Sequence, residues 1–116
     1  MKIAPEVISK IINREIFQLI YNKFSLVIIF ENGELTIESN YKYINSIGQS
    51  EFNEFPLKKQ DNLISIIGNT IKSVDLQENN ALNIEFSNGS KIEISSNEGK
   101  FESYSLSIDG ELYVAN

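Results

Sequence analysis

Residues 26–33, with the sequence LVIIFENG, recur at residues 82–89 as LNIEFSNG. Leucine, isoleucine, phenylalanine, asparagine and glycine return at the same places, at an offset of 56 residues. Weaker matches continue upstream at an offset of 55 and downstream at an offset of 57. Because the offset changes only where a turn can absorb one residue, the pattern indicates a tandem duplication.

The two copies frame a single domain of residues 1–116. Copy one spans residues 5–44, copy two spans residues 56–116, and residues 45–55 are expected to form the connecting loop. Each copy predicts a short helix followed by an antiparallel meander of three to four strands. The expected fold is therefore α+β but mostly β, with about eight strands around a pseudo-two-fold axis.

Each predicted helix has a start and a stop. Pro5 and Pro56 lead into apolar residues at helical spacing, and Asp61 can cap the second helix, which is expected at residues 57–67. Asn13 and Gly68 stand at matching positions after the two helices. Both residue types tolerate positive φ, which a left-handed helix stop requires.

The predicted strands follow these stops. They lie at residues 15–21, 25–31 and 34–39 in copy one, at 70–76, 81–87 and 91–95 in copy two, and then at 41–44, 103–108 and 111–115. Residues 32–33, Asn-Gly, predict a two-residue type I′ turn that pairs Phe30 with Leu35 and Ile28 with Ile37. A three-residue loop in copy two pairs Phe86 with Ile92 and Ile84 with Ile94, so the same apolar positions face the core in both copies.

This register sets like charges against each other. Glu31 lies opposite Glu34 and Glu85 opposite Glu93, which lowers the stability of the sheet. One interpretation is a solvated face that keeps the chain soluble. The other is an acidic patch that binds a basic protein. The candidate interface residues are Glu31, Glu34, Glu38, Tyr41, Tyr43, Glu85, Glu93, Glu98, Glu102 and Tyr104, where the tyrosines fit either a core edge or an interface.

One strand carries apolar residues on its second face as well. Val27 and Ile29 are apolar where the matching Asn83 and Glu85 are polar. Packing under the N-terminal helix would explain this difference. A partner or dimer surface is the alternative.

The composition limits the classes of function that this chain can have. The chain has no histidine and no cysteine, which removes the usual general base, the thiol nucleophile and nearly all zinc sites. We therefore expect no enzyme, no cofactor and no metal. A net charge of −6 repels phosphate backbones, so no direct contact with nucleic acid is expected.

Nothing in the sequence predicts contact with a membrane. The longest apolar run, residues 26–30, is far too short to span a bilayer. The first twelve residues lack the apolar core of a signal peptide. A cytoplasmic location is the resulting expectation.

The order of elements resembles a family of small bacterial proteins of unknown function with two tandem copies of this pattern. The resemblance rests on residues 66–74, IIGNTIKSV, on the hairpin at 82–94, and on the aromatic-Glu-small-aromatic run at 101–104. Small acidic proteins of this kind are similar to the immunity proteins of polymorphic bacterial toxins, including those of contact-dependent growth inhibition. The resemblance implies a stoichiometric inhibitor that covers the active site of a cognate toxin, often a basic nuclease. The alternative is a structural or regulatory module that self-associates, as a homodimer, through a sheet edge or the Val27/Ile29 face.

Overall fold

The computed structural model describes residues 3–58, 61–97 and 102–116. These residues form ten strands in two antiparallel sheets of five strands each, with one short α-helix and two 3-10 helices. The elements are α1 Pro5–Ile8, 3-10 Ser9–Ile11, β1 Ile16–Tyr21, β2 Leu26–Phe30, β3 Gly33–Ile37, β4 Tyr41–Ile44, β5 Ser50–Asn53, 3-10 Asn62–Ile66, β6 Ile71–Leu76, β7 Leu82–Phe86, β8 Lys91–Ile94, β9 Tyr104–Ile108 and β10 Glu111–Ala115. The predicted mostly β antiparallel architecture is confirmed.

Each sheet combines a three-stranded meander from one half of the chain with a hairpin from the other half. The first sheet has the order β1-β2-β3-β9-β10, and the second has the order β6-β7-β8-β4-β5. Each three-stranded meander is therefore completed by the hairpin that follows the other meander in the chain. The links from β3 to β4 and from β8 to β9 carry the chain between the sheets.

The inner faces of both sheets share one hydrophobic core. Strand residues alternate between buried and accessible positions, so one face of each sheet is sequestered from water. The apolar positions that the sequence assigned to the core are all buried: Ile28, Phe30, Leu35, Ile37, Ile84, Phe86, Ile92 and Ile94.

The sheets also touch through backbone hydrogen bonds at one corner. The amide of Asn13 donates to the carbonyl of Ile71 at 2.7 Å, and the amide of Gly68 donates to the carbonyl of Ile16 at 2.9 Å. Asn13 and Gly68 have φ values of 73° and 87°, as the predicted helix stops require. The backbone turn after each helix thus orients an amide toward the opposite sheet.

The predicted hairpin registers are wrong by two residues. Phe30 lies opposite Gly33, and Ile28 lies opposite Leu35, while in the second copy Ile84 lies opposite Ile92. A shift of two residues keeps each side chain on its original face, which is why the core assignment survives.

Gly33 explains the shift in the first copy. A Cβ on Gly33 would collide with the carbonyl oxygen of Ser107 on β9 and with the ring of Phe30. The glycine is therefore needed inside the sheet, beneath an aromatic ring, and the turn forms at residues 31–32 with Asn32 at φ 55°.

Two other expectations need correction. The predicted connecting loop at residues 45–55 contains an edge strand, β5, which pairs with β4. The second helix is a 3-10 helix over Asn62–Ile66 rather than a helix over 57–67. Its predicted cap is confirmed, because the side chain of Asp61 accepts a hydrogen bond from the amide of Leu63 at 3.1 Å.

The N-terminal helix does not explain the apolar outer positions of β2. The helix packs against β6 and buries Ile8 and Ile11 in the core. Val27 and Ile29 alternate with the buried residues of β2 and point away from that core, where they stay partly accessible. In the described part of the chain, no helix has the length and apolar character needed to cross a bilayer.

Candidate functional site

Two of the candidate acids on the second sheet, Glu85 and Glu93, pair with lysines. Lys91, not Glu93, lies opposite Glu85, so the predicted like-charge pair is wrong. Nζ of Lys72 lies 3.7 Å from the Glu85 carboxylate, and Nζ of Lys42 lies 3.4 Å from the Glu93 carboxylate. These acids therefore form an ordinary mixed-charge surface.

The acids at the first hairpin do not pair either. Glu31 lies in the turn between β2 and β3, and Glu34 lies between Ile29 and Ser107 on the neighbouring strands. Both are exposed. The expected repulsion between Glu31 and Glu34 is absent because the turn forms one residue earlier than predicted.

The three candidate tyrosines point into the protein. Tyr41, Tyr43 and Tyr104 are 0%, 2% and 0% exposed. The hydroxyl of Tyr43 lies 2.7 Å from Oγ of Ser65. These rings stabilise the core and are not available to a partner on the surface.

Two predicted acids do come together, in an open groove at the chain crossings. Glu38 follows β3, and Glu102 precedes β9. The groove has a volume of about 500 Å³ and is lined by Phe24, Glu38, Ser39, Asn40, Phe55, Asn97 and Glu102. The remaining candidate, Glu98, lies outside the described residues.

Hydrogen bonds to backbone carbonyls hold the walls of this groove. The amide of Glu38 donates to the carbonyl of Ser103 at 3.0 Å, and the side chain of Asn97 donates to the carbonyl of Glu102 at 2.9 Å. The hydroxyl of Ser39 donates to the carbonyl of Ser95 at 2.5 Å. The two crossing segments are therefore tied together by hydrogen bonds.

The two carboxylates interact electrostatically. Burial raises the pKa of the Glu38 carboxyl above its ordinary value of 4.5, and the charge and side-chain hydrogen bond of Glu102 raise that pKa further. Among the described residues, neither carboxylate forms a salt bridge. A cation placed between them would relieve this repulsion.

An aromatic side chain stands at the mouth of the groove. Phe24, in the turn between β1 and β2, is 61% exposed, and Nζ of Lys23 lies 5.3 Å from the centre of its ring. Exposed phenylalanine beside carboxylates is a surface that arginine and lysine side chains recognise. The sequence analysis missed this residue, although a phenylalanine in a hairpin turn was a usable signal.

A second acidic site is closed. Asp61 is 6% exposed and accepts hydrogen bonds from the hydroxyls of Tyr21 and Tyr41, at 2.7 and 2.8 Å, and from the side-chain amide of Asn53 at 2.7 Å. Burial, followed by the hydrogen bond to Asp61, raises the pKa of both tyrosines well above its ordinary value of 10.0. Every partner here is internal, so this cluster stabilises the fold.

Comparison with known proteins yields no relative. No family model, no curated protein and no solved structure matches the chain. Within residues 3–58, 61–97 and 102–116, no three acidic side chains are grouped closely enough to hold a metal ion.

Proposed function

We propose that this protein is an immunity protein, which binds a cognate bacterial toxin domain in the cytoplasm and neutralises it by covering its active site. The observation that carries the proposal is the groove with the carboxylates of Glu38 and Glu102, which lacks a salt bridge in the described part of the chain. The resemblance of the sequence to immunity proteins supplies the class of partner. The carboxylates of the groove support the expectation that this partner is basic.

Charge favours the approach of such a partner. The chain carries a net charge of −6, so its field attracts a basic domain over distances longer than a contact. At the groove, Glu38 and Glu102 would accept hydrogen bonds from an arginine or lysine, and Phe24 would lie against its charged end. Inhibition by occlusion requires no catalytic group on this chain.

The internal symmetry of the fold belongs to the same proposal. We infer a duplicated ancestral unit, because the contacts at the corner of the sheets occur in reciprocal pairs. The bridge between Glu15 and Thr70 joins matched positions, and the amides of Glu31 and Ser87 donate to the carbonyls of those same two residues, both at 2.9 Å. A β-bulge also interrupts β1 and β6 at matched places.

The decisive experiment measures binding to the toxin domain encoded beside this gene in the native genome. The double variant Glu38→Lys, Glu102→Lys should slow association strongly at low salt and much less at high salt, because screening weakens long-range attraction. The matched control is Glu85→Lys, Glu93→Lys, which changes net charge equally on the mixed-charge second sheet. Its effect should be smaller.

Three outcomes would contradict the proposal. The adjacent domain could fail to bind, the groove variant could bind with wild-type kinetics, or bound toxin could retain its full activity. The first and third remove immunity as the function, and the second removes the groove as the binding site. Circular dichroism of each variant establishes that it is folded before binding is measured.

A further inference from the structure

Two phenylalanine rings line the groove together with the two carboxylates. Phe24 lies in the turn between β1 and β2, and Phe55 follows β5 by two residues. The rings present apolar surface, whereas Glu38 and Glu102 present hydrogen-bond acceptors. A ligand that matches this groove must therefore combine a surface that can lie on an aromatic ring with hydrogen-bond donors and positive charge.

Contacts with the rest of the fold hold both rings in place. The centre of the Phe55 ring lies 6.1 Å from that of the buried ring of Tyr41. The turn that carries Phe24 is attached to the segment after β5, because the amide of Leu57 donates to the carbonyl of Lys23 at 2.8 Å. A ligand therefore meets rings that are already positioned, which lowers the entropic cost of binding.

The ring of Phe24 already contacts a cation of its own chain. Nζ of Lys23 lies 5.3 Å from the centre of this ring. That distance is within the range of about 6 Å over which a cation and an aromatic face attract each other. The chain thus provides, at the edge of the groove, an example of the contact that a bound cation would make.

We infer that the side chain that enters the groove is an arginine of the partner, an inference that rests on the proposed binding of a basic toxin domain there. A guanidinium group is flat, and its five N–H donors all point outward in its own plane. It can therefore lie against the ring of Phe24 or Phe55 while its edge donates to Glu38 and Glu102. No donor is then directed at a ring.

A lysine side chain matches the same residues less well. Its ammonium group is compact and strongly hydrated, and its three N–H donors point in three different directions. Against a phenylalanine ring, at least one donor would lose water without gaining an acceptor, which costs free energy. The rings, rather than the charge of the groove, thus distinguish arginine from lysine.

The closeness of the two carboxyl groups favours the same ligand. Burial, followed by the charge and side-chain hydrogen bond of Glu102, raises the pKa of the Glu38 carboxyl, so the two groups are neighbours. A guanidinium group presents pairs of parallel donors, which suit two acceptors that lie side by side. One arginine can therefore bind both carboxylates at once.

Two blocked amino acids separate shape from charge in the test. N-acetyl-arginine methylamide and N-acetyl-lysine methylamide each carry one positive charge, and each is titrated into the isotope-labelled full chain while its amide resonances are recorded. The arginine probe should bind with a dissociation constant on the order of 10⁻² M, about threefold tighter than the lysine probe, which is the size of one exposed cation–π contact. The resonances of Glu38, Asn40 and Asn97 should shift.

A variant of the aromatic residue tests the cause of the preference. Phe24→Leu keeps an apolar side chain in the turn but removes the ring, so the arginine probe should then bind no more tightly than the lysine probe. The matched control is Phe52→Leu on β5, another exposed ring, 58% exposed, which lies outside the groove and should keep the wild-type preference. The dispersion of each spectrum establishes that the variant is folded.

A variant of the carboxylates tests the place of binding. Glu38→Gln with Glu102→Gln should weaken the binding of both probes at least about fivefold, because both charge-assisted acceptors are lost. Glu85→Gln with Glu93→Gln removes the same charge from the second sheet and should leave both affinities near those of the wild type.

Three results would overturn the inference. These are equal affinities of the wild type for the two probes, no binding of either probe at about 50 mM, which is several times the expected dissociation constant, and an unchanged arginine preference in Phe24→Leu. Binding of the toxin domain is measured separately. A toxin that binds a chain without arginine preference would remove only this inference, whereas arginine preference without toxin binding would remove only immunity.

Discussion

Two buried tyrosines at matched positions show how single residues differ between the halves of the chain. The hydroxyl of Tyr41 donates to Asp61, whereas the hydroxyl of Tyr104 is buried with no hydrogen-bond partner among the described residues. Burial raises the pKa of Tyr104 above its ordinary value of 10.0. One hydroxyl therefore stabilises the fold, and the other carries an uncompensated loss of hydration.

This contrast predicts opposite effects of the same substitution. Tyr41→Phe removes one donor from a buried carboxylate and should lower the free energy of unfolding by about 1–3 kcal/mol. Tyr104→Phe removes the unpartnered hydroxyl and should leave that free energy unchanged or raise it. Urea unfolding of both variants provides the measurement, and equal losses would contradict the predicted contrast between the two hydroxyls.

The carboxyl of Glu38 predicts a dependence of stability on pH. Its pKa is raised in the folded protein, so the folded state holds this proton more tightly than the unfolded chain does. The resulting stabilisation is fully present below the ordinary pKa of 4.5 and is lost as pH rises through the folded pKa.

Glu38→Gln should therefore be more stable than the wild type near about pH 7, and the difference should vanish below about pH 4. Thermal unfolding at a series of pH values measures this difference. The control is Glu78→Gln, at an exposed carboxylate in the turn after β6, which should track the wild type throughout. A constant offset for Glu38→Gln across the series would contradict the expectation.

Among the elements, the β2–β3 hairpin depends most on one small residue. Arg14 donates to the carbonyls of Glu31 and Asn32, at 3.2 and 3.4 Å, and pairs with Asp109 at 3.0 Å, so it ties this turn to the β9–β10 turn. Gly33 lets β9 approach closely. The hairpin is thereby positioned against a strand from the other end of the chain.

Gly33→Ala should lower the free energy of unfolding by about 2–4 kcal/mol, because the added methyl group meets a backbone carbonyl and an aromatic ring. Gly48→Ala is the comparison, since Gly48 has open space around it but a φ of 88°. It should cost about 1–2 kcal/mol from backbone strain alone. Guanidinium unfolding separates the two, and a smaller loss at Gly33 would indicate that β9 can move aside.

For the whole molecule, the exchange of hairpins makes the two halves interdependent. Each sheet contains strands from both halves of the chain, and both sheets share one core. Neither half can therefore lose its strands without opening both sheets. A single cooperative unfolding transition is expected.

Leu26→Ala and Leu82→Ala test this at matched, fully buried positions, both 0% exposed. Each should lower the free energy of unfolding by about 2–5 kcal/mol and shift the same single transition. Calorimetry should give equal calorimetric and van't Hoff enthalpies for both variants. Two resolved transitions in either variant would contradict the interdependence of the halves.

Much of this architecture was predictable from local pattern. Alternation assigned the core residues, Asp61 was identified as a cap, and Asn13 and Gly68 were identified as helix stops. The register of the first hairpin was wrong because the need for a glycine beneath Phe30 arises from β9, a strand distant in sequence. The expected connecting loop contains β5 because residues 50–53 become a strand by pairing with β4, which is a contact between strands and not a local pattern.

Side-chain periodicity follows from the geometry of a single strand. The order of residues alone therefore predicts which side chains face inward and which face outward. Neighbouring strands are chosen by contacts across the whole chain, and these alone set β3 beside β9 and β8 beside β4. The groove has the same origin, because Glu38 and Glu102 stand 64 residues apart in sequence and meet only where the two crossings touch. Charge and the alternation of apolar side chains can be recognised in a short stretch of sequence. The proximity of Glu38 and Glu102 exists only in the folded chain.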